Sequence, residues 1–210
     1  MGNNFNNNQT THTNCIIRKN GIQGNKLLEQ YDNYGNIVYK IKSSSDFLSY
    51  TIYNVDEREI GSIKVKYNFT RSEITLYDEN NQIVNCIERD INCCKTRYTF
   101  YGLDKNIESV ILFKPGCSQF IFEEYDKYDI RTNWAEINIC KVRFISEFDS
   151  NGNLKYKINQ YYNSEEAIKI LDSNDMEVNL SDRTLFNNGF TKIQTILILQ
   201  MLLHGYPDDN

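Results

Sequence analysis

The sequence predicts a mainly β fold, a closed antiparallel β-barrel around a buried hydrophobic C-terminal helix. Three observations carry that prediction. The chain of 210 residues holds 15 Tyr and 11 Phe but only 2 Pro, and aromatic and β-branched side chains suit the pleated, half-buried surface of a strand. Short runs with period-two alternation are separated by polar turns every 8–12 residues or so, the spacing of a sandwich or barrel. Near the C-terminus the pattern changes to a run that is apolar on nearly every helical face, and such a helix must be buried on all sides.

Taken in order, residues 1–25 are Asn/Thr-rich with little apolar periodicity and read as a disordered tail. No apolar core follows a basic start, as a secretory signal would require. Gly2 follows Met1, but Asn6 stands where myristoylation wants Ser or Thr. The barrel domain is expected over residues 26–210. It opens with YDNYGNIVYKIK, an Asn/Gly turn before alternating Ile37, Tyr39 and Ile41. An acidic turn at Asp56 and Glu57 leads to Ile63, Val65 and Tyr67 alternating with Ser62, Lys64 and Lys66. A hairpin turn is expected at Asp78, Glu79, Asn80 and Asn81, and another around Asn151 and Gly152. Further strands are expected at 97–101, 108–113, 119–122, 136–145 and 154–159. The helix is expected over 191–204, with Thr191 as N-cap, Gly205 as the stop and Pro207 beyond. Its apolar run falls short of the ~20 residues that span a bilayer.

Charge and cysteine usage exclude several function classes. The net charge is −5, so no basic field exists to displace counterions from nucleic acid, and no direct nucleic-acid partner is expected. Adsorption to an anionic leaflet would need a local basic cluster, each cation contributing about 1 kcal/mol. The six cysteines, at 15, 86, 93, 94, 117 and 140, include no Cys-x-x-Cys pair, and there are 2 His. Free thiols in a reducing compartment are expected, with no structural metal. His12 and His204 lack a catalytic setting, and no phosphate-binding Gly-rich loop or His-Glu-x-x-His occurs. The acidic segment DSNDMEVNLSD lacks the Gly and Glu that define an EF-hand loop. The chain is therefore read as non-enzymatic, without cofactor or metal.

Several segments resemble the tubby domain, in order along the chain. IGSIKVKYNFTRSEITLYD is similar to that family's Ile-Gly-Lys-Leu-Arg segment and the strand after it. NCIERDINCCKTRYTF, LKYKINQYYNSEEAIKIL with Ala167 and Lys169, and LFNNGFTKIQTILILQML resemble later family segments. The Phe-x-Gly-Arg-Val signature is absent, Asn159-Gln160-Tyr161-Tyr162 standing in its place. The phospholipid scramblases and the LURP-one-related proteins share this barrel-and-helix architecture and fit equally on fold, while the order of the segments favours the tubby domain.

The resemblance implies a monomeric, cytoplasmic adaptor, peripheral at the inner face of the plasma membrane, binding a phosphoinositide headgroup with a possible protein partner. In tubby domains the Gly-Lys-x-Arg strand holds the headgroup cations. Here Gly61 is kept, Lys64 matches the Arg position and Ser62 replaces the Lys. Period-two geometry places Ser62, Lys64 and Lys66 on one strand face, and Arg71, Lys95 and Arg97 are expected to extend it. Lys and Arg with hydroxyl donors are what a multiply charged phosphate requires. The competing readings are a scramblase-like or LURP-one-like protein, or a protein-interaction barrel that has lost its lipid site.

Overall fold

The computed structural model describes residues 15–19, 26–32, 34–68, 70–92, 95–115, 119–139, 143–162, 166–181, 183–186 and 189–203. The protein is mainly β, an antiparallel sheet with one C-terminal helix. The strands are β1 (Cys15–Lys19), β2 (Lys26–Tyr31), β3 (Ile37–Ser43), β4 (Ser49–Asn54), β5 (Glu59–Asn68), β6 (Arg71–Asp78) and β7 (Ile83–Asn92). They continue as β8 (Lys95–Tyr101), β9 (Ile107–Pro115), β10 (Gln119–Asp126), β11 (Arg131–Ile139), β12 (Arg143–Asp149), β13 (Leu154–Tyr162) and β14 (Glu166–Asp172). The helix α1 spans Lys192–Leu203, within a residue of the expected start and end. From β2 to β14 each strand pairs with the next. The order returns to its start through β1, which pairs with β2 and with β14, Cys15 facing Ile168 and Ile17 facing Glu166.

Two expectations are corrected. Residues 15–19 form β1, although 1–25 were read as a tail; five residues without alternation carry little signal, and neighbouring strands supply their hydrogen bonds. Residues 136–145 are not one strand. β11 ends at Ile139 and β12 starts at Arg143, folding back so that Ile137 faces Ile145. The remainder of 1–25, and Gly205 and Pro207 beyond the helix, lie outside the described residues.

Seven turns joining even to odd strands, or following β14, share one construction. They begin at Asp32, Asn54, Asp78, Gly102, Asp126, Asp149 and Asp172, at intervals of 22 to 24 residues. In each, the first residue's N–H donates to the carbonyl of the fifth, and the fourth residue's N–H donates back to the first. The fourth residue is left-handed each time, from Gly35 (φ 82°) and Glu57 (φ 59°) to Asp175 (φ 63°). This is a type I turn closed by an αL residue, which matches the strand twist. Except at Gly102, the head residue's side-chain oxygen accepts the N–H groups of the third and fifth residues, as Asp78 does from Asn80 (2.9 Å) and Gln82 (2.8 Å). Just before six of these turns the strand register slips by a bulge, between Ile52 and Tyr53 and between Leu76 and Tyr77 for example. The repeated unit is thus an aromatic or apolar residue, a turn head and four loop residues.

Alternation then sorts side chains. On β5, Ile63 and Val65 are buried while Lys64 and Lys66 are exposed. Equivalent inward residues, including Leu28, Ile74, Ile87, Phe100, Ile111, Phe122, Ile145, Ile158 and Ile168, form one apolar core. After Asp172 the seventh hairpin makes an isolated bridge, Leu171 with Glu177, and the Val178 N–H donates to the Ile170 carbonyl (3.0 Å). The chain then turns inward, burying Val178, Leu180, Leu185 and Phe190. Gln30 holds that inward segment from β2, its amide donating to the carbonyls of Leu180 (2.8 Å) and Arg183 (2.7 Å). Gly61 is where the segment meets the sheet: a Cβ there would lie 2.6 Å from the Phe186 ring.

Helix α1 is held among these inward faces. Thr191 and Gln194 form a capping box: the Gln194 N–H donates to Thr191 Oγ1 (3.1 Å) and the Thr191 N–H donates to Gln194 Oε1 (3.3 Å). From β4, the Tyr50 hydroxyl donates to the Leu202 carbonyl (3.1 Å), and from β8 the Tyr98 hydroxyl accepts from the Gln200 amide (2.6 Å). Glu147, on β12, reaches the other helix end. Bonds from well-separated strands thus converge on one helix.

Candidate functional site

The residues proposed from sequence for a headgroup all lie on the outward face of β5–β8. Ser62, Lys64 and Lys66 project together from β5, as period two requires. Arg71 opens β6, and Lys95 and Arg97 lie on β8. β7 runs between β6 and β8, and Glu88 and Asp90 are among its outward residues. Register sets Glu73 opposite Lys66, Asp90 opposite both Arg71 and Arg97, and Asn92 opposite Lys95. Arg71 is ion-paired to Glu88 and lies 3.7 Å from Asp90. The Glu88 carboxylate beside it raises the Arg71 pKa. Lys64 rests over the Tyr77 ring at 4.7 Å, and Arg97 donates through Nε to Thr99 Oγ1 (3.3 Å). Five cations therefore share this face with Glu73, Glu88 and Asp90, an excess of two positive charges. The structure brings the six residues to one face but threads a line of acids between them.

A second arrangement, unforeseen from sequence, lies inside the sheet where α1 begins. Glu147 is fully buried. Its Oε2 accepts from Thr191 Oγ1 (3.1 Å) and from Gln194 Nε2 (3.2 Å), and Oε1 has no partner among the described residues. Burial pushes its pKa up to about 7, against the pull of those two bonds and of Lys155. Nearby, Lys155 donates to Asn133 Oδ1 (3.2 Å) and Asn133 donates to Glu124 Oε2 (2.7 Å). The sequence offered one signal: Glu147 occupies an inward position of β12 two residues after Ile145. Reading it required the strand boundary that the merged 136–145 expectation obscured.

Cys86 is a free thiol on β7 whose pKa is raised by burial. Cys93, Cys94, Cys117 and Cys140 lie outside the described residues. Among the described residues no group of His, Cys, Asp and Glu is placed to hold a metal ion. Asp172 is the head of the seventh turn, its carboxylate occupied by the N–H groups of Asn174 and Met176.

The outward face also bears on membranes. Among the described residues no helix is long and apolar enough to cross one. A barrel that crosses with its strands turns an apolar band outward and a polar lining inward. Here the balance is opposite: Lys42, Lys64, Glu88, Glu123 and Lys157 face out, whereas the interior is mainly Ile, Leu and Phe, with a minority of buried polar residues such as Gln30, Glu124 and Glu147.

No known family matches the chain, and no curated protein matches it. Among solved structures it is similar to a porin-like protein from Bacteroides uniformis, at 10% identity and a TM-score of 0.20. That match covers 78% of this chain and 97% of the other.

Proposed function

We propose that the chain is a non-enzymatic binding domain, a closed β-barrel plugged by its own helix, that works through its outer surfaces. The observation carrying this reading is the occupied interior: α1 and the inward side chains of the strands fill the space where a lumenal ligand would sit. Glu147, the one strongly perturbed interior acid among the described residues, has its Oε2 turned to the helix cap and is fully buried.

Within that reading, the outer face of β5–β8 is the place for a phosphoinositide headgroup, in keeping with the tubby-like resemblance and with a peripheral position at the inner membrane face. Lys64 and Lys66 support it, both being exposed and without an ion pair among the described residues. Arg71 contributes little, because Glu88 and Asp90 neutralise it. Those same acids favour the second reading, a barrel that makes only protein contacts. Sedimentation with phosphatidylcholine vesicles, with and without a bisphosphorylated phosphoinositide, separates the two. Binding that needs the phosphoinositide and is lost in Lys64→Ala/Lys66→Ala supports the headgroup site. An intact protein that stays in the supernatant removes it and leaves protein contacts.

A further inference from the structure

The seven repeated turns all sit at one end of the sheet, since in a meander alternate connections share an end. Their tips carry large apolar side chains in water. Tyr34 is 84% exposed, Leu103 74%, Tyr128 71%, Met176 66%, Ile130 61% and Val55 59%. They come from five of the seven turns, and nothing in the turn construction needs them. The turn heads bond the loop N–H groups and the fourth residue sets the twist, so the second, third and fifth side chains are free to vary. Leu103 stands on the β8–β9 turn and Tyr128 and Ile130 on the β10–β11 turn beside it, and large apolar side chains held on adjacent turns in water mark an interaction surface.

The same turns are acidic. Their 35 residues hold eleven Asp or Glu and three Lys or Arg, a net of −8, against −5 for the whole chain. Lys40 and Lys42 reach in from β3 to Glu57, and Lys157 reaches in from β13 to Asp175. Counting those three cations with the turns still leaves −5. The charge decides the occupant. An anionic lipid leaflet is repelled by such a rim, and so is a second copy of the same crown.

We propose that this crown of turn tips docks a basic protein segment carrying apolar anchors, Lys and Arg meeting the rim while its apolar side chains pack among Leu103, Tyr128 and Ile130. The surface is distinct from the face of β5–β8, and the inference stands whether or not that face takes a lipid.

The test uses the full chain and three labelled peptides of equal length, alternating Lys with Leu, Lys with Ser, and Glu with Leu, read by fluorescence anisotropy. The Lys/Leu peptide is expected to bind, weakening as salt rises, with the other two at least about tenfold weaker. Leu103→Ser/Tyr128→Ser/Ile130→Ser is expected to lower its affinity about tenfold or more. Asp56→Asn/Glu79→Gln/Asp129→Asn, which spares every turn head, is expected to lower both affinity and salt dependence. All these positions are exposed, and unchanged circular dichroism melts confirm that each variant folds. Equal affinity in the serine variant, or equal binding of Lys/Ser and Lys/Leu peptides, overturns the proposal. So does self-association, or binding to plain phosphatidylcholine vesicles, that the serine variant abolishes, because the crown then serves a second copy or a membrane.

Discussion

Glu147 and Asp149 stand two residues apart on β12 and belong to different regions of the molecule. Glu147 points into the core and meets the start of α1; burial raises its pKa to about 7. Asp149 heads the sixth turn at the rim, where bonds from the Asn153 side chain and the backbone N–H groups of Asn153 and Asn151 hold its pKa below the usual value. The rim is built from local interactions among five consecutive residues, repeated seven times. The plug is built from contacts between residues far apart in the chain, such as Tyr50 with Leu202 and Gln30 with Leu180. What this teaches is where cooperativity resides: a turn can fail alone, whereas the plug ties many strands to one helix.

That difference can be sharpened by substitution. The largest effect is expected in the plug. Leu202→Ala removes a fully buried side chain and should cost about 2–5 kcal/mol, measured by urea denaturation. A loss below about 1 kcal/mol would mean that the core around α1 collapses readily and is not the cooperative element.

Next comes the pH dependence of Glu147. Its pKa lies higher in the folded protein than the ordinary 4.5, so the folded state holds a proton that the unfolded state has released. The stability it contributes is complete below about pH 4.5 and is lost as pH rises through about 7, a change of about 3 kcal/mol. Glu147→Gln keeps an acceptor for Thr191 and Gln194 without the charge. The variant should therefore gain on the parent protein as pH rises from 5 to 8. Parallel melting profiles of the two proteins over that range would show that the carboxyl group titrates normally.

The smallest effect is expected at the rim. Asp78→Ala deprives the N–H groups of Asn80 and Gln82 of their acceptor, and water can replace it because both residues are exposed. A cost of about 1 kcal/mol is expected. Hydrogen exchange should quicken at Asn80 and Gln82 and be unchanged in the other six turns. Loss of protection across the sheet would instead make the rim part of the cooperative unit.

These comparisons follow how legible each part was. The headgroup candidates could be assigned to one face because strand alternation is a local rule, and Lys64 and Lys66 lie outward as it requires. The acids between them could not be placed, since Glu88 and Asp90 reach that face only through the register of β7 with β6 and β8. The turns at Asp56, Asp78 and Gly152 were visible one by one. Their seven-fold recurrence was not, because the common feature is a backbone geometry that accepts Gly, Glu, Asn, Lys or Asp at its left-handed position.

The sequence by itself determined the mainly β character, the alternation that sorts side chains inward and outward, the position of α1 and its Thr191 cap. Each is a matter of residues within a few positions of one another. Only the tertiary structure decided that β1 joins the sheet, that Glu147 is enclosed beside the helix cap, and that Gly61 lies against Phe186. The same holds for the gathering of Tyr34, Leu103 and Tyr128 at one end. The physical reason is that burial, register and proximity are set by which distant segments share a core, and no local pattern encodes that partner.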